Sequence, residues 1–325
     1  MKAFMHADGQ MRLGELADPS PGMGEVVVAL KAAGLNRRDL MIPGRRGNES
    51  RPLVLGSDGA GVIESIGADV TDWSIGDEVI INPSLRWFQK SAAPPERFDI
   101  LGMPDHGTFA EKIVISAEQL EKKPEHLSWE ESAVIALSAL TGYRALFTQG
   151  DLKAGQTVFI PGAGSGVATF MIQLAKSAGA KVIVTSRSES KRESARNIGA
   201  DMALDTNSDW VAELQGETID LVVESVGRAT FNRSLQVLKK GGKIVVFGAT
   251  TEDTVDFDLR SFFYGQYQLL GTTMGSREEL RAALRFMELH GIRPVIDRAF
   301  RLEEAQEAFD RLKHNEQFGK IVVSI

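Results

Sequence analysis

Residues 157–180, TVFIPGAGSGVATFMIQLAKSAGA, constrain the fold more than any other part of this chain. An apolar, β-branched run (157–160) enters a glycine-dense turn (161–166). A helical apolar pattern follows at once, carried by Val167, Phe170, Met171, Leu174 and Ala175. The order is strand, turn, helix, with bare backbone where the helix begins. A helix N-terminus has unpaired N–H groups and a partial positive charge, so such a turn suits a pyrophosphate. A second apolar run, 181–185, completes a βαβ unit. The glycines, Gly162, Gly164 and Gly166 with Ala168 beyond, depart from strict GxGxxG spacing. The flanking strands and helix, more than the glycines, carry the dinucleotide reading.

The rest of the chain falls into two patterns. Up to about residue 123, short β-type runs (25–33, 59–67, 78–82 and 111–115) are broken by glycine turns, as in a β-rich barrel-like unit. Residues 85–106 read as a long loop rich in proline and charge. From about residue 129, helical segments alternate with apolar runs at 157–160, 181–185, 202–204, 219–224, 243–247 and 267–271. That alternation predicts a doubly wound parallel sheet. An amphipathic helix is expected over 278–290, and a final β-type run, 319–325, is expected to return to the first unit.

Composition narrows the function. The net charge of −7 disfavours nucleic acid and anionic membrane as partners. No run approaches the ~20 apolar residues of a membrane helix, and the start, MKAFMHADGQ, lacks a signal-peptide core. The chain has no cysteine, which excludes disulfides and thiolate metal ligands and fits a cytoplasmic location. Its five histidines are scattered, without metal-ligand spacing.

Nine segments, in order, resemble one family: GLNRRD (34–39), GSDGAGVIESIG (56–67), GDEV (76–79), HGTFAE (106–111), TGYRAL (141–146), the glycine turn, NIGAD (197–201), GGKIVVFG (241–248) and FGKIVV (318–323). The chain is similar to the medium-chain dehydrogenases/reductases, nearest their zinc-free quinone-oxidoreductase-like branch. The resemblance implies an α/β protein: a GroES-like β-rich catalytic domain formed by both chain ends (1–124 and 274–325), with a Rossmann domain (125–273) inserted. It also implies an active site in the cleft between them.

In zinc-dependent members the matching positions carry a cysteine and a His-Glu pair; here they are Asn36, Ser57 and Asp58. The expected chemistry is therefore hydride transfer without zinc. The substrate would be a quinone or an α,β-unsaturated carbonyl, which spreads the incoming charge over carbon and oxygen. Reduction of aldehydes or ketones is the second enzymatic reading. A non-catalytic nucleotide-binding sensor or RNA-binding protein is the reading from another class. Asn36 is the candidate hydrogen-bond donor to the developing oxyanion or placer of the nicotinamide. Arg38 is the candidate anion stabiliser, and Ser57 a candidate substrate contact. By resemblance, Arg37 touches the cofactor pyrophosphate.

The second strand decides the cofactor. An NAD enzyme places a carboxylate ~20 residues past the glycine turn, where it bonds the ribose 2′-hydroxyl. Here Ser186 stands there, followed by Arg187 and Lys191. A hydroxyl and two cations suit a 2′-phosphate, so NADP(H) is expected. Further contacts implied by the resemblance are Thr141, Ser165, Gly166, Val167, Thr206 beside the adenine, Val226, Phe247, Gly248 and Ala249. The run at 267–271 should be a sheet edge, and Leu269 and Leu270 there predict a homodimer through it.

Overall fold

The computed structural model describes all residues, 1–325, as two compact units: Met1–Ser138 with Gly275–Ile325, and Ala139–Met274. No helix is long and apolar enough to cross a membrane.

The first unit is mostly β. Its N-terminal strands are β1 (Lys2–Ala7), β2 (Gln10–Glu15), β3 (Glu25–Leu35), β4 (Leu53–Val54), β5 (Asp58–Ile66), β6 (Glu78–Ile81), β7 (Ser84–Leu85), β8 (Asp99–Ile100), β9 (Lys112–Ser116) and β10 (Leu120–Lys122). The short helices α1 (Ile42–Arg46) and α2 (Trp129–Ser132) lie among and after them, and α3 (Ile135–Tyr143) begins here. The loop expected over 85–106 starts in β7 and contains β8, which pairs antiparallel with it. Residues Trp129–Ser138 belong to this unit, beyond the expected boundary at 124, because α2 packs on β3 and β5 and the Leu137 amide donates to Asp58.

The second unit holds β11 (Thr157–Ile160), α4 (Gly166–Ser177), β12 (Lys181–Ser186), α5 (Glu189–Asn197), β13 (Met202–Asp205), α6 (Trp210–Glu213), β14 (Ile219–Glu224), α7 (Phe231–Val237), β15 (Leu238–Val246), α8 (Leu259–Gly265) and β16 (Gln268–Gly271). Its six strands are all parallel, in the order β13-β12-β11-β14-β15-β16. Strand order therefore reverses between β11 and β14, the switch point where a dinucleotide binds in such sheets. The strands are near-continuous apolar runs because both faces of the sheet are covered. Phe159 and Trp210 meet edge to face, 5.1 Å apart, in the core on one side. Gly241 and Gly242 lie within β15, and the pairing register shifts there.

The chain then returns to the first unit through α9 (Arg277–His290), β17 (Ile296–Arg301), α10 (Ala305–Lys313) and β18 (Lys320–Ser324). Helix α9 starts on a Ser276/Glu279 capping box and stops at Gly291, whose φ is +62°. Strand β18 pairs antiparallel with β3, and the sheet order is β10-β6-β5-β3-β18-β17, with β9 also on β3. The last strand of the chain is thus placed beside β3 and one strand away from β5. Phe4, Phe109 and Phe309 form the aromatic centre of one core of this unit.

Candidate functional site

In the first unit, three neighbouring strands deliver one buried polar cluster. Strand β3 ends at Leu35, and the chain turns at once into a short 3-10 segment, Arg37–Met41. Asp39 fixes that turn: its Oδ2 accepts from the Asn36 amide at 2.8 Å. Asn36 is held inside, only 5% exposed. Asp58 opens β5 opposite Gly34, and Lys320 opens β18 beside Leu35.

The Lys320 ammonium lies 2.6 Å from Asn36 Oδ1, 3.0 Å from the Leu35 carbonyl, 3.2 Å from Ser138 Oγ and 3.4 Å from Asp58 Oδ2. The Asn36 amide nitrogen donates to Asp58 Oδ2 at 3.0 Å and to the Gly34 carbonyl at 3.3 Å. Asp58 Oδ1 accepts from the Leu137 amide at 2.8 Å. Both ends of the Asn36 amide are therefore occupied within the protein. Burial pushes the Asp58 carboxyl up and the Lys320 ammonium down, and each charge opposes the shift of the other. Burial also pushes Asp39 up, to about 6.

These residues do not fit a catalytic zinc. Thiolate and imidazole donors are replaced by an amide, a hydroxyl and a carboxylate already engaged with Asn36 and Lys320. A buried ammonium stands among them, and no group of three His, Cys, Asp or Glu side chains is positioned to hold a metal ion.

Arg38 and Ser57 meet beside this cluster. Arg38 Nη1 donates to Ser57 Oγ at 2.6 Å and to the Leu101 carbonyl at 2.8 Å; Ser57 Oγ donates to the same carbonyl at 2.7 Å. Both side chains thus tie the β8 segment to the loops after β3 and before β5. Burial lowers the Arg38 pKa. Arg37 is exposed and donates to Asn315 Oδ1 at 2.6 Å. Sequence reasoning did not pick out Lys320 and Ser138 as members of the cluster. The only signal for Lys320 was a charge inside the apolar run FGKIVV.

In the second unit, most of the candidate cofactor residues gather at the C-terminal ends of the strands. Ser165 caps α4, its Oγ accepting from the Ala168 amide at 3.1 Å, so Gly166 and Val167 form the helix's first turn. Gly162 has φ +84°, a conformation that favours glycine, and a Cβ built there would sit 3.2 Å from Val226 Cγ2. The glycine turn after β11 and the loop after β14 thus meet at the switch point.

Ser186 ends β12, with its carbonyl held by Arg192 at 2.7 Å. Arg192 is further committed to Asp205 and Glu189. Arg187 is exposed and makes no hydrogen bond or ion pair within the chain. Thr206 follows β13, its hydroxyl 3.1 Å from that of Thr185. Phe247, Gly248 and Ala249 follow β15, and the Phe247 amide donates to the Glu224 carbonyl at 3.1 Å. Thr141 is buried on α3. This arrangement fits a dinucleotide with a 2′-phosphate. Glu224 went unremarked in the sequence because it looked like the polar end of an apolar strand.

Two family models match: an alcohol dehydrogenase GroES-like domain over residues 22–125 and a zinc-binding dehydrogenase over residues 166–288. A zinc-type alcohol dehydrogenase-like protein of Schizosaccharomyces pombe is 33% identical over 319 residues, covering 93% of this chain and 91% of that one. An acryloyl-coenzyme A reductase of Metallosphaera sedula is 30% identical over 324 residues, 95% of each chain. Among solved structures, an NAD-dependent alcohol dehydrogenase superposes with a TM-score of 0.92 at 34% identity over all of both chains. The 2-octenoyl-CoA carboxylase reductase CinF, in complex with NADP and 2-octenoyl-CoA, superposes at 0.89 with 26% identity, covering 99% of this chain and 87% of that one. The chain belongs to the medium-chain dehydrogenase/reductase superfamily.

Proposed function

We propose that this protein is an NADPH-dependent oxidoreductase that reduces a quinone or an α,β-unsaturated carbonyl, 2-enoyl thioesters included, without a metal ion. One observation supports the reading: the buried Lys320 ammonium is set among Asn36, Asp58 and Ser138, and the family resemblance matches Asn36 and Asp58 to zinc-ligand positions.

An electron-poor substrate does not need Lewis-acid help to accept a hydride, because conjugation delocalises the charge that arrives. NADPH, when bound, supplies that hydride. The chain's own residues bind and orient. Ser165, Gly166 and Val167 would cradle the pyrophosphate, while Val226, Phe247, Gly248 and Ala249 flank the nicotinamide half. Ser186, Arg187 and Lys191 would hold the 2′-phosphate, with Thr206 beside the adenine. Asn36, Arg38 and Ser57 shape the substrate side, and Arg37 reaches the pyrophosphate. Two similar proteins named for 2-enoyl-CoA chemistry, one of them carrying NADP, support both cofactor and substrate class. Relatives named alcohol dehydrogenases make simple aldehydes and ketones the second substrate class to test. We further propose a homodimer joined through the exposed edge strand β16.

Stopped-flow oxidation of NADPH against quinones, enones, 2-enoyl-CoA esters and simple aldehydes tests this reading. Turnover of the first three classes is expected. Turnover of aldehydes alone would favour the second class, and binding without any oxidation would favour a sensor.

A further inference from the structure

We infer that Glu224 is a positioning residue for the nicotinamide half of the cofactor site, an inference that rests on the NADPH reading above. Glu224 ends β14, the strand that opens the second half of the sheet at the switch point. It is fully buried, and both carboxylate oxygens are spent on the turn that follows. Oε1 accepts from the Val226 amide at 2.7 Å, the Gly227 amide at 3.2 Å and Thr230 Oγ1 at 2.9 Å. Oε2 accepts from Thr230 Oγ1 at 2.9 Å and Ser234 Oγ at 3.1 Å. One carboxylate thus gathers two backbone amides and two hydroxyls into a closed loop.

The loop's shape bears on the ligand because of what it faces. Val226, whose amide is the closest donor to Glu224, packs against Gly162 of the glycine turn. Its carbonyl accepts from the Thr251 amide and hydroxyl, each at 2.8 Å, which links the loop to the segment after β15. Gly227 sits at φ +96°, and a Cβ there would come within 2.7 Å of the Glu252 carbonyl oxygen. The turn is therefore tightly determined, and Glu224 is the group that determines it from below.

A doubly wound sheet binds a dinucleotide as two mononucleotide halves on either side of the switch point. The adenosine half falls to β11, β12 and β13, where Ser186 and Arg187 stand. The other half falls to β14, β15 and β16. If Glu224 acts by setting its loop, its loss must weaken contacts to one half only. A carboxylate that merely stabilises the fold would not discriminate between halves.

Titration calorimetry with NADPH and with adenosine 2′,5′-bisphosphate separates the two. In Glu224→Ala, NADPH affinity should fall about tenfold, the scale set by losing buried hydrogen bonds. The affinity for the bisphosphate, which fills only the adenosine half, should stay within about twofold of wild type. Thr230→Val, which removes one hydroxyl at nearly constant volume, should show the same pattern at about threefold, and it decides the matter if Glu224→Ala fails to fold. Equal weakening of both ligands, or unchanged NADPH affinity in a folded variant, would overturn the inference. Wild-type protein that binds neither ligand would defeat the cofactor assignment itself, and this inference with it.

Discussion

Lys320 Nζ lies 2.6 Å from Asn36 Oδ1 and 3.4 Å from Asp58 Oδ2, with all three side chains buried. The ammonium makes the Asp58 charge tolerable and fixes which way the Asn36 amide faces. Lys320→Met leaves a buried carboxylate without its cation, and such a loss costs about 3–5 kcal/mol. Urea unfolding should show that fall. The double variant Lys320→Met/Asp58→Asn should recover a large part of it, because no unpaired charge then remains. Additive losses in the double variant would mean that the two groups do not interact.

Acid sensitivity follows from His6. Its ring is wholly buried, and the Arg46 guanidinium lies 3.4 Å from Nδ1. Burial, then Arg46, lowers its pKa below the ordinary 6.5, with Glu49 weakly opposing. A lowered folded-state value means the unfolded chain binds the proton more readily. Stability from this site is therefore complete above about pH 6.5 and is lost as pH falls through the folded value. Asp39 runs the other way: raised from 3.8 to about 6, its contribution is complete below the lower value and is lost as pH rises through about 6. Comparing variants isolates the histidine. In His6→Gln the fall in Tm between about pH 7.5 and 5.5 should be smaller than in wild type. An unchanged fall would show that His6 stays neutral throughout.

Cofactor choice turns on Arg187. Arg192 is already engaged by the Ser186 carbonyl, Asp205 and Glu189, whereas Arg187 is exposed and uncommitted. Arg187→Ala should raise the KM for NADPH about tenfold through loss of a charge-assisted hydrogen bond. The KM for NADH should not move. An unchanged NADPH value would remove Arg187 from the 2′-phosphate site.

The edge strand β16 should be where two copies meet. Leu269 is 43% exposed there, and Leu259, Phe263 and Tyr264 of α8 are also exposed. Light scattering on wild type should give a dimer mass, and Leu269→Lys should shift it toward the monomer. A monomer at micromolar concentration in the wild type would refute this interface.

Much of the architecture was legible because it rests on local pattern. The glycine turn, the apolar runs around it and the alternation of strands with helices specify a doubly wound sheet. The run at 319–325 was readable as a strand returning to the first unit. What could not be read were the consequences of tertiary pairing. The residues of α2 look helical whichever unit they pack on, so the boundary moved past Ser138. Lys320 in FGKIVV resembles a surface charge until β18 lies beside β3 and turns it inward. Asn36 was legible as a cleft residue by resemblance, but only the structure shows its amide engaged at both ends. Glu224 is hidden for the same reason: its partners lie in the turn and helix beyond its own strand.

Hydride transfer to an activated carbonyl compound beside a buried ammonium, without a metal, is the chemistry proposed here. Its most direct test combines elemental analysis of the active protein with stopped-flow NADPH oxidation by an enone before and after exhaustive chelation. Substoichiometric metal and an unchanged rate are expected. One transition-metal ion per chain, whose removal abolishes turnover and whose return restores it, would contradict it.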